Sequence, residues 1–315
     1  MAEAVLTSIA ETRGRSPSAS WRLRRTTLVA LALLAPSLVF LTLFTYWPVV
    51  QVVWQSLFNQ QRVGGPQVYV GAANFFKLFA DNAFRKALSN NLIYAFGTVI
   101  PSLVLALGFA MALARSSRVN ALFRALFFLP VLIPLVAAAS IFLFIFLPGV
   151  GLLDYHLAKL ALSGPNWLGD PDIALYAIMG LTIWKNAGYY MLFFLAGLQA
   201  VPADAYEAAI LDGAGPWQRL RYVTLPYLKP TIGFVMVLGL LNVVTQVDHV
   251  FVLTKGGPSD STNLLLFYVY QQAVESYDAG KAAAGTLVML GLLLAISASS
   301  LRTLANSMDF LSAMT

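Results

Sequence analysis

The sequence predicts an all-α polytopic membrane protein of about six transmembrane helices. Three observations carry that expectation. Of 315 residues, 59% are hydrophobic and only 11% are charged, where a soluble domain has roughly a quarter of its residues charged. So little charge with so much apolar surface makes lipid the solvent. Six stretches supply the about 20 mostly apolar residues that a spanning helix needs, and arginines gather in alternate connections, as the positive-inside rule requires of a multi-pass chain.

The first span runs from about Thr27 to Trp54 and the second from about Asn91 to Ala114. The third covers about Leu122 to Phe146 and the fourth about Ile173 to Gln199. The fifth runs from about Thr231 to Leu253 and the sixth from about Ala282 to Leu304. Pro36, Pro48, Pro101, Pro130 and Pro134 fall within or near these spans, which tolerate proline when neighbours re-satisfy the freed backbone groups. Such helices either kink around a cavity or kink for packing alone. Before Trp21 the chain is rich in Ser, Ala, Arg and Glu, and residues 1–26 read as a polar tail. The apolar run that follows is too long for a cleaved signal and lacks a small-residue cleavage site. Between Tyr69 and Asn90, Phe75, Phe76, Phe79, Phe84 and Leu88 recur at helical spacing among Lys77, Asp81 and Arg85. This suits an amphipathic helix on the membrane surface or a packed loop helix.

Orientation follows from the basic residues. Arg13, Arg15, Arg22, Arg24 and Arg25 precede the first span, Arg115, Arg118 and Arg124 follow the second, and Arg219, Arg221 and Lys229 follow the fourth. The opposite connections carry Arg62, Lys77, Arg85, Lys86, Lys159, Lys255 and Lys281 over longer segments. Both termini are therefore expected in the cytoplasm, with residues 27–305 as the transmembrane domain and 306–315 as a second tail. The net charge of +6 is explained by these loops, and no nucleic-acid motif accompanies it. The chain has no cysteine, which excludes disulfides, thiolate metal sites and a cysteine nucleophile.

The connection 201–227 is the most informative segment. Pro202 precedes a helix start, and Asp204 with Glu207 three residues on has the pattern of a capping box. Ala205, Ala208 and Ala209 give a smooth face, and Gly213 and Gly215 end the helix. Trp217, Leu220, Tyr222 and Val223 begin a second short helix that Pro226 is expected to end. A helix–turn–helix between two spans is a docking element or an ordinary connecting loop. Its length and regular pattern favour docking.

Glu207-Ala208-Ala209, Gly213, Val223 and Leu225-Pro226 resemble the EAA motif of binding-protein-dependent ABC importer permeases, with Val223 in place of the usual Ile. Gly197 to Pro202, Thr254-Lys255-Gly256-Gly257-Pro258, Tyr268-Val269-Tyr270 and Gly280 to Ala284 resemble the carbohydrate branch, the maltose and glycerol-3-phosphate type. The resemblance covers about residues 27 to 305. It implies a type I importer permease fold with a cytoplasmic coupling helix, in a bacterial inner membrane. Glu207, Ala208, Ala209, Asp212 and Gly213 would be the joint to a cytoplasmic ATPase dimer. The same resemblance implies a second permease subunit as heterodimer partner, an extracytoplasmic substrate-binding protein, membrane lipid around the spans and a carbohydrate as substrate. ATP and Mg would be bound by the ATPase. The chain itself has no Gly-x-x-x-x-Gly-Lys-[Ser/Thr] loop, no catalytic or metal centre, and only His156 and His249 as histidines.

Polar side chains within spans invite a functional reading. By resemblance to the maltose-type permeases, Thr182, Lys185, Asn186, Tyr189 and Asn242 would face the sugar, with Gln246 and Asp248 following them. Lys185 and Asp248 are equally readable as a structural pair between spans. With Lys185 as a counter-charge, the substrate would instead be glycerol 3-phosphate or another anionic polyol. A proton- or sodium-driven transporter could use Lys185, Asp248 and His249 as a relay, but no repeat relates the halves. A membrane enzyme would need paired carboxylates, and Asp204, Glu207 and Asp212 are spaced for capping and docking instead.

Overall fold

The structure is a computed structural model that describes the backbone of residues 19–59 and 66–312 and the side chains of 29–59 and 66–298. The greater part of the expected N-terminal tail lies outside the described residues. The chain forms two compact units, residues 1–54 and 55–315.

In the first unit, helix α1 (Ala19–Leu41) passes through a π turn (Thr42–Tyr46) into α2 (Trp47–Ser56). Pro36 sits inside α1, and the Thr42 hydroxyl donates to the Leu38 carbonyl at 2.8 Å. Within Val29–Ser56 an 18-residue stretch has a mean hydropathy of 2.1, as a helix solvated by lipid or other spans must have.

The second unit opens with a two-residue pairing of β1 (Phe58–Asn59) and β2 (Val68–Tyr69). The Asn74 amide donates to the Ser56 and Phe58 carbonyls at 2.8 and 2.9 Å, so α3 (Ala73–Ala80) holds this turn. The surface helix expected from Tyr69 to Asn90 divides at Asp81. Its first part is α3, and its second part belongs to α4 (Asn82–Ala112), which is nine residues longer at its start than expected. The cause is Asp81, whose carboxylate caps α4 by accepting from the Ala83 amide at 2.9 Å. Burial pushes the Asp81 carboxyl up. Hydrogen bonds from Lys281, Tyr268 and Ala83, with the Lys281 charge, outweigh that and hold it below its ordinary value.

The expected third span is not one straight helix. It consists of α5 (Arg118–Leu132) and α6 (Leu135–Ile145), which meet at 99°. Pro130 and Pro134 make this break. A residue preceding proline is pushed into extended backbone, and Ile133 has ψ 127°. Beyond α6 lies the short α7 (Leu152–Lys159). There the Asp154 carboxylate accepts from the Gly149 amide at 2.6 Å and the Trp167 indole at 2.8 Å. These two bonds hold its carboxyl below the ordinary value. A depressed carboxyl contributes stability that is present above its unfolded pKa and lost as pH falls through the folded one. Amide protection across residues 148–168, taken relative to the intrinsic exchange rate at each pH, is therefore expected to fall below the usual aspartate range. Asp154→Ala should be poorly protected already at neutral pH, and a wild-type segment equally protected at low and neutral pH would refute the role.

Helix α8 (Ala174–Gln199) is the centre of the unit, running along α4. Tyr94, Val99, Leu103, Ile178, Leu181, Tyr190, Met191 and Phe194 form their common core. Close approach depends on small residues, as in other spanning bundles. A Cβ on Gly239 would lie 3.0 Å from Val99, and one on Gly97 would meet the Met179 sulfur at 2.7 Å. After α8 come α9 (Ala203–Leu211) and α10 (Pro216–Arg219), a π turn (Leu220–Thr224), α11 (Leu225–Thr245) and α12 (Asp248–Leu253). The expected fifth span thus begins earlier and breaks at Gln246. Last come α13 (Leu265–Tyr270), a π turn (Gln271–Glu275) and α14 (Ala279–Ser312).

Among the described residues, four helical segments are singly long and apolar enough to cross a membrane, and the bent α5–α6 pair makes a fifth. The expected fourth span, α8, is not among these five although it is long enough at 26 residues. Lys185, Asn186, its tyrosines and its glycines lower its hydropathy, because α8 is solvated mainly by protein.

Candidate functional site

The 201–227 connection folds as a helical hairpin. Helix α9 starts two residues before the expected position. Pro202 is its N-cap, without a side-chain cap bond, so Asp204 is not the cap and lies in the first turn, where a carboxylate favours the helix dipole. The helix ends as expected. Gly213 has φ +77°, and the Ala214 amide returns to the Ala209 carbonyl at 2.9 Å, a closure that needs a left-handed residue. Gly215 starts α10, its amide donating to Gln218 Oε1 at 2.7 Å. Pro226 does not end the second helix. The preceding π turn shifts the backbone register, and Pro226 then falls in the first turn of α11, where its missing N–H costs nothing.

The Tyr206 hydroxyl lies 2.9 Å from the Thr224 hydroxyl and ties α9 to the π turn. Glu207, Ala208, Asp212 and Gly213 are exposed and Ala209 half-buried. Around them Leu211 is 88% exposed, Trp217 71% and Ile210 54%. Apolar groups at that exposure on a loop between spans mark a surface for a partner.

Inside the bundle, the structure divides the expected substrate residues. Thr182 is buried, its hydroxyl 2.6 Å from the Tyr94 hydroxyl, which also lies 2.8 Å from His249 Nε2. Asn242 donates to the Tyr190 hydroxyl at 3.3 Å. Asn186 is buried beside them on α8, and Tyr189 packs edge-on against Phe193. Gln246 is half-buried at the end of α11, and Asp248 is exposed.

Lys185 goes elsewhere. Its ammonium donates to the carbonyls of Pro130 (3.2 Å), Val131 (3.3 Å) and Ile133. These are acceptors at the broken end of α5, where a cation also favours the helix dipole. No ion pair joins Lys185 to Asp248 among the described residues. The partners of Lys185 are therefore these carbonyls and not Asp248.

Tyr94 and His249 complete this polar centre; the sequence offered His249 only as part of a relay, and Tyr94 was missed. The available signal was Asn90, Tyr94 and Thr98 at four-residue steps in an apolar span. Asn90 reaches the connection after α12, donating to the Asp260 and Asn263 carbonyls at 2.7 and 3.1 Å. No group of three His, Cys, Asp or Glu residues is placed to hold a metal among the described residues.

Residues 104–307 match the family of binding-protein-dependent transport system inner membrane components. A probable ABC transporter permease protein, YurN of Bacillus subtilis (strain 168), is 34% identical over 270 residues, covering 84% of this chain and 91% of that protein. The sulfoquinovosyl glycerol transport system permease protein SmoG of Agrobacterium fabrum is 33% identical over 276 residues, 87% of this chain and 90% of its own. The sn-glycerol-3-phosphate transport system permease protein UgpA of the same organism is 30% identical over 273 residues, 86% of this chain and 92% of its own. In fold, the chain is similar to one in the crystal structure of a bacterial ABC transporter involved in the import of the acidic polysaccharide alginate. The TM-score is 0.75 at 22% identity, over 90% of this chain and 98% of that one. With this match in sequence and fold, the chain belongs to the binding-protein-dependent ABC importer permeases, as an inner-membrane transport component and not an enzyme.

Proposed function

We propose that this permease carries a neutral carbohydrate or polyol derivative inward, working with a second permease subunit, a cytoplasmic ATPase pair that binds ATP and Mg, and an extracytoplasmic binding protein. Both termini then lie in the cytoplasm. The observation that carries the reading is the exposed hairpin α9–α10. It presents Glu207, Ala208, Asp212 and Gly213 between bare Leu211 and Trp217, a rigid knob for an ATPase cleft. A knob that two ATPase states grip differently shifts the bundle between inward-open and outward-open forms.

The relatives' named substrates, sulfoquinovosyl glycerol and sn-glycerol 3-phosphate, support a sugar or polyol skeleton; both carry an anionic group, so the neutral charge rests on Lys185 alone. Hydroxyl, amide and aromatic groups at Thr182, Asn186, Tyr189 and Asn242 suit a polyhydroxylated solute. A neutral solute is favoured over an anionic one because the Lys185 ammonium is spent on three carbonyls.

Two measurements test this. In proteoliposomes containing the whole transporter, Glu207→Lys and Gly213→Pro should remove ATP-driven uptake while membrane insertion persists. Proline cannot adopt the φ of +77° found at 213. Normal uptake by both variants would sink the coupling assignment. A ligand screen on the partner binding protein should return a neutral sugar or polyol, and a phosphorylated ligand would overturn the substrate class.

A further inference from the structure

A cavity of about 250 Å³ lies beneath the α9–α10 hairpin. Its walls come from three places: Met111 and Ala114 at the end of α4, Leu198 at the end of α8, and Tyr206, Arg219 and Leu220 of the hairpin. Arg219 is half-buried in this wall, and among the described residues its Nε, buried behind the surface, has no hydrogen-bond partner. A buried donor left unpaired is costly, and guanidinium donors are matched best by phosphate or carboxylate oxygens. Tyr206 and Thr224, whose hydroxyls bond each other, also line this space, and none of the lining residues is acidic. A second guanidinium, which does not line the cavity, bonds the backbone next to Ala114. Arg124 donates to the Leu113 carbonyl at 3.1 Å and to the Ala114 carbonyl at 3.3 Å.

We propose that this cavity is an anion site for a phosphate group, and that the phosphate is the headgroup of an anionic phospholipid. Met111, Ala114 and Leu198 are at the ends of spanning helices, so the cavity lies at the depth of lipid headgroups. Its apolar wall suits the glycerol and first methylenes, and Arg219 suits the phosphate. Basic pockets between spans on the cytoplasmic side have this character. A lipid held there would brace the hairpin against the bundle. The inference rests on the cytoplasmic placement of the hairpin given above, but not on what the hairpin docks to.

The test uses the complete transporter in nanodiscs of phosphatidylcholine with or without phosphatidylglycerol. Retained lipid is read by native mass spectrometry. Wild type should keep a phosphatidylglycerol that Arg219→Gln binds about tenfold or more weakly, the loss of one charge-assisted hydrogen bond. Arg221→Gln, on the same hairpin but exposed, should retain it. Inorganic phosphate added to phosphatidylcholine discs tests a free anion as the source. If it alone saturates the Arg219 site, the lipid assignment falls. Equal losses in both variants would mean diffuse surface charge, and no Arg219-dependent binding of either anion would mean a partner's carboxylate fills the cavity. Either result overturns the proposal. Glu207→Lys should bind the lipid normally, so failure of the ATPase-docking assignment would show in uptake alone.

Discussion

Gly188→Ala is expected to be the most damaging small substitution in the bundle. A Cβ there would fall onto the Phe127 carbonyl and within 3.1 Å of the Phe128 amide nitrogen. The obstruction is backbone of α5, which cannot rotate aside as a side chain would. Overpacking in a dense core usually costs about 1–3 kcal/mol, and a rigid obstacle puts this case at the top of that range or above. Helices α5 and α8 would have to separate. Gly180→Ala supplies the control on the same helix. No atom lies within 4 Å of its added methyl, so the change should be neutral or stabilise by about 0.5–1 kcal/mol through backbone entropy. Thermal unfolding of the purified protein in detergent compares the two. If both variants melt together, the close α5–α8 approach is refuted.

Lys185→Met should have the next largest effect. Methionine keeps an unbranched stem but removes the ammonium, so the carbonyls of Pro130, Val131 and Ile133 lose their donor in a largely buried place. An unsatisfied buried acceptor costs about 1–3 kcal/mol. With three at one break, a loss of about 3 kcal/mol is expected. The variant should melt lower whether or not substrate is present. A variant that melts like wild type but no longer transports would show instead that Lys185 serves the substrate. Lys185 and Gly188 lie three residues apart and so on one face of α8. Both act on the same end of α5, so the double variant should cost less than the sum of the singles.

These two predictions also mark what the sequence could and could not disclose. Lipid as solvent, most of the spanning segments and the Glu207 to Gly213 motif were legible because each is local. Hydropathy, arginine bias and loop spacing are properties of consecutive residues. Gly213 as a left-handed helix terminator followed from the same kind of reasoning. Helix starts were less legible, since Asp81 and Pro202 competed with neighbouring signals and moved two of them.

Partner choice was not legible at all. Lys185 was readable as a substrate contact, a counter-charge or half of an ion pair, because its charge says only that it needs oxygen. The oxygens it found are carbonyls freed by Pro130 and Pro134, more than 50 residues away. Tyr94 and His249 meet across 155 residues. The sequence by itself determined a lipid-solvated helical permease with a helix–turn–helix in the connection 201–227. Only the tertiary structure decided that its third span breaks at 99° and that Lys185 closes the break, because a buried donor takes whichever acceptor packing brings within reach.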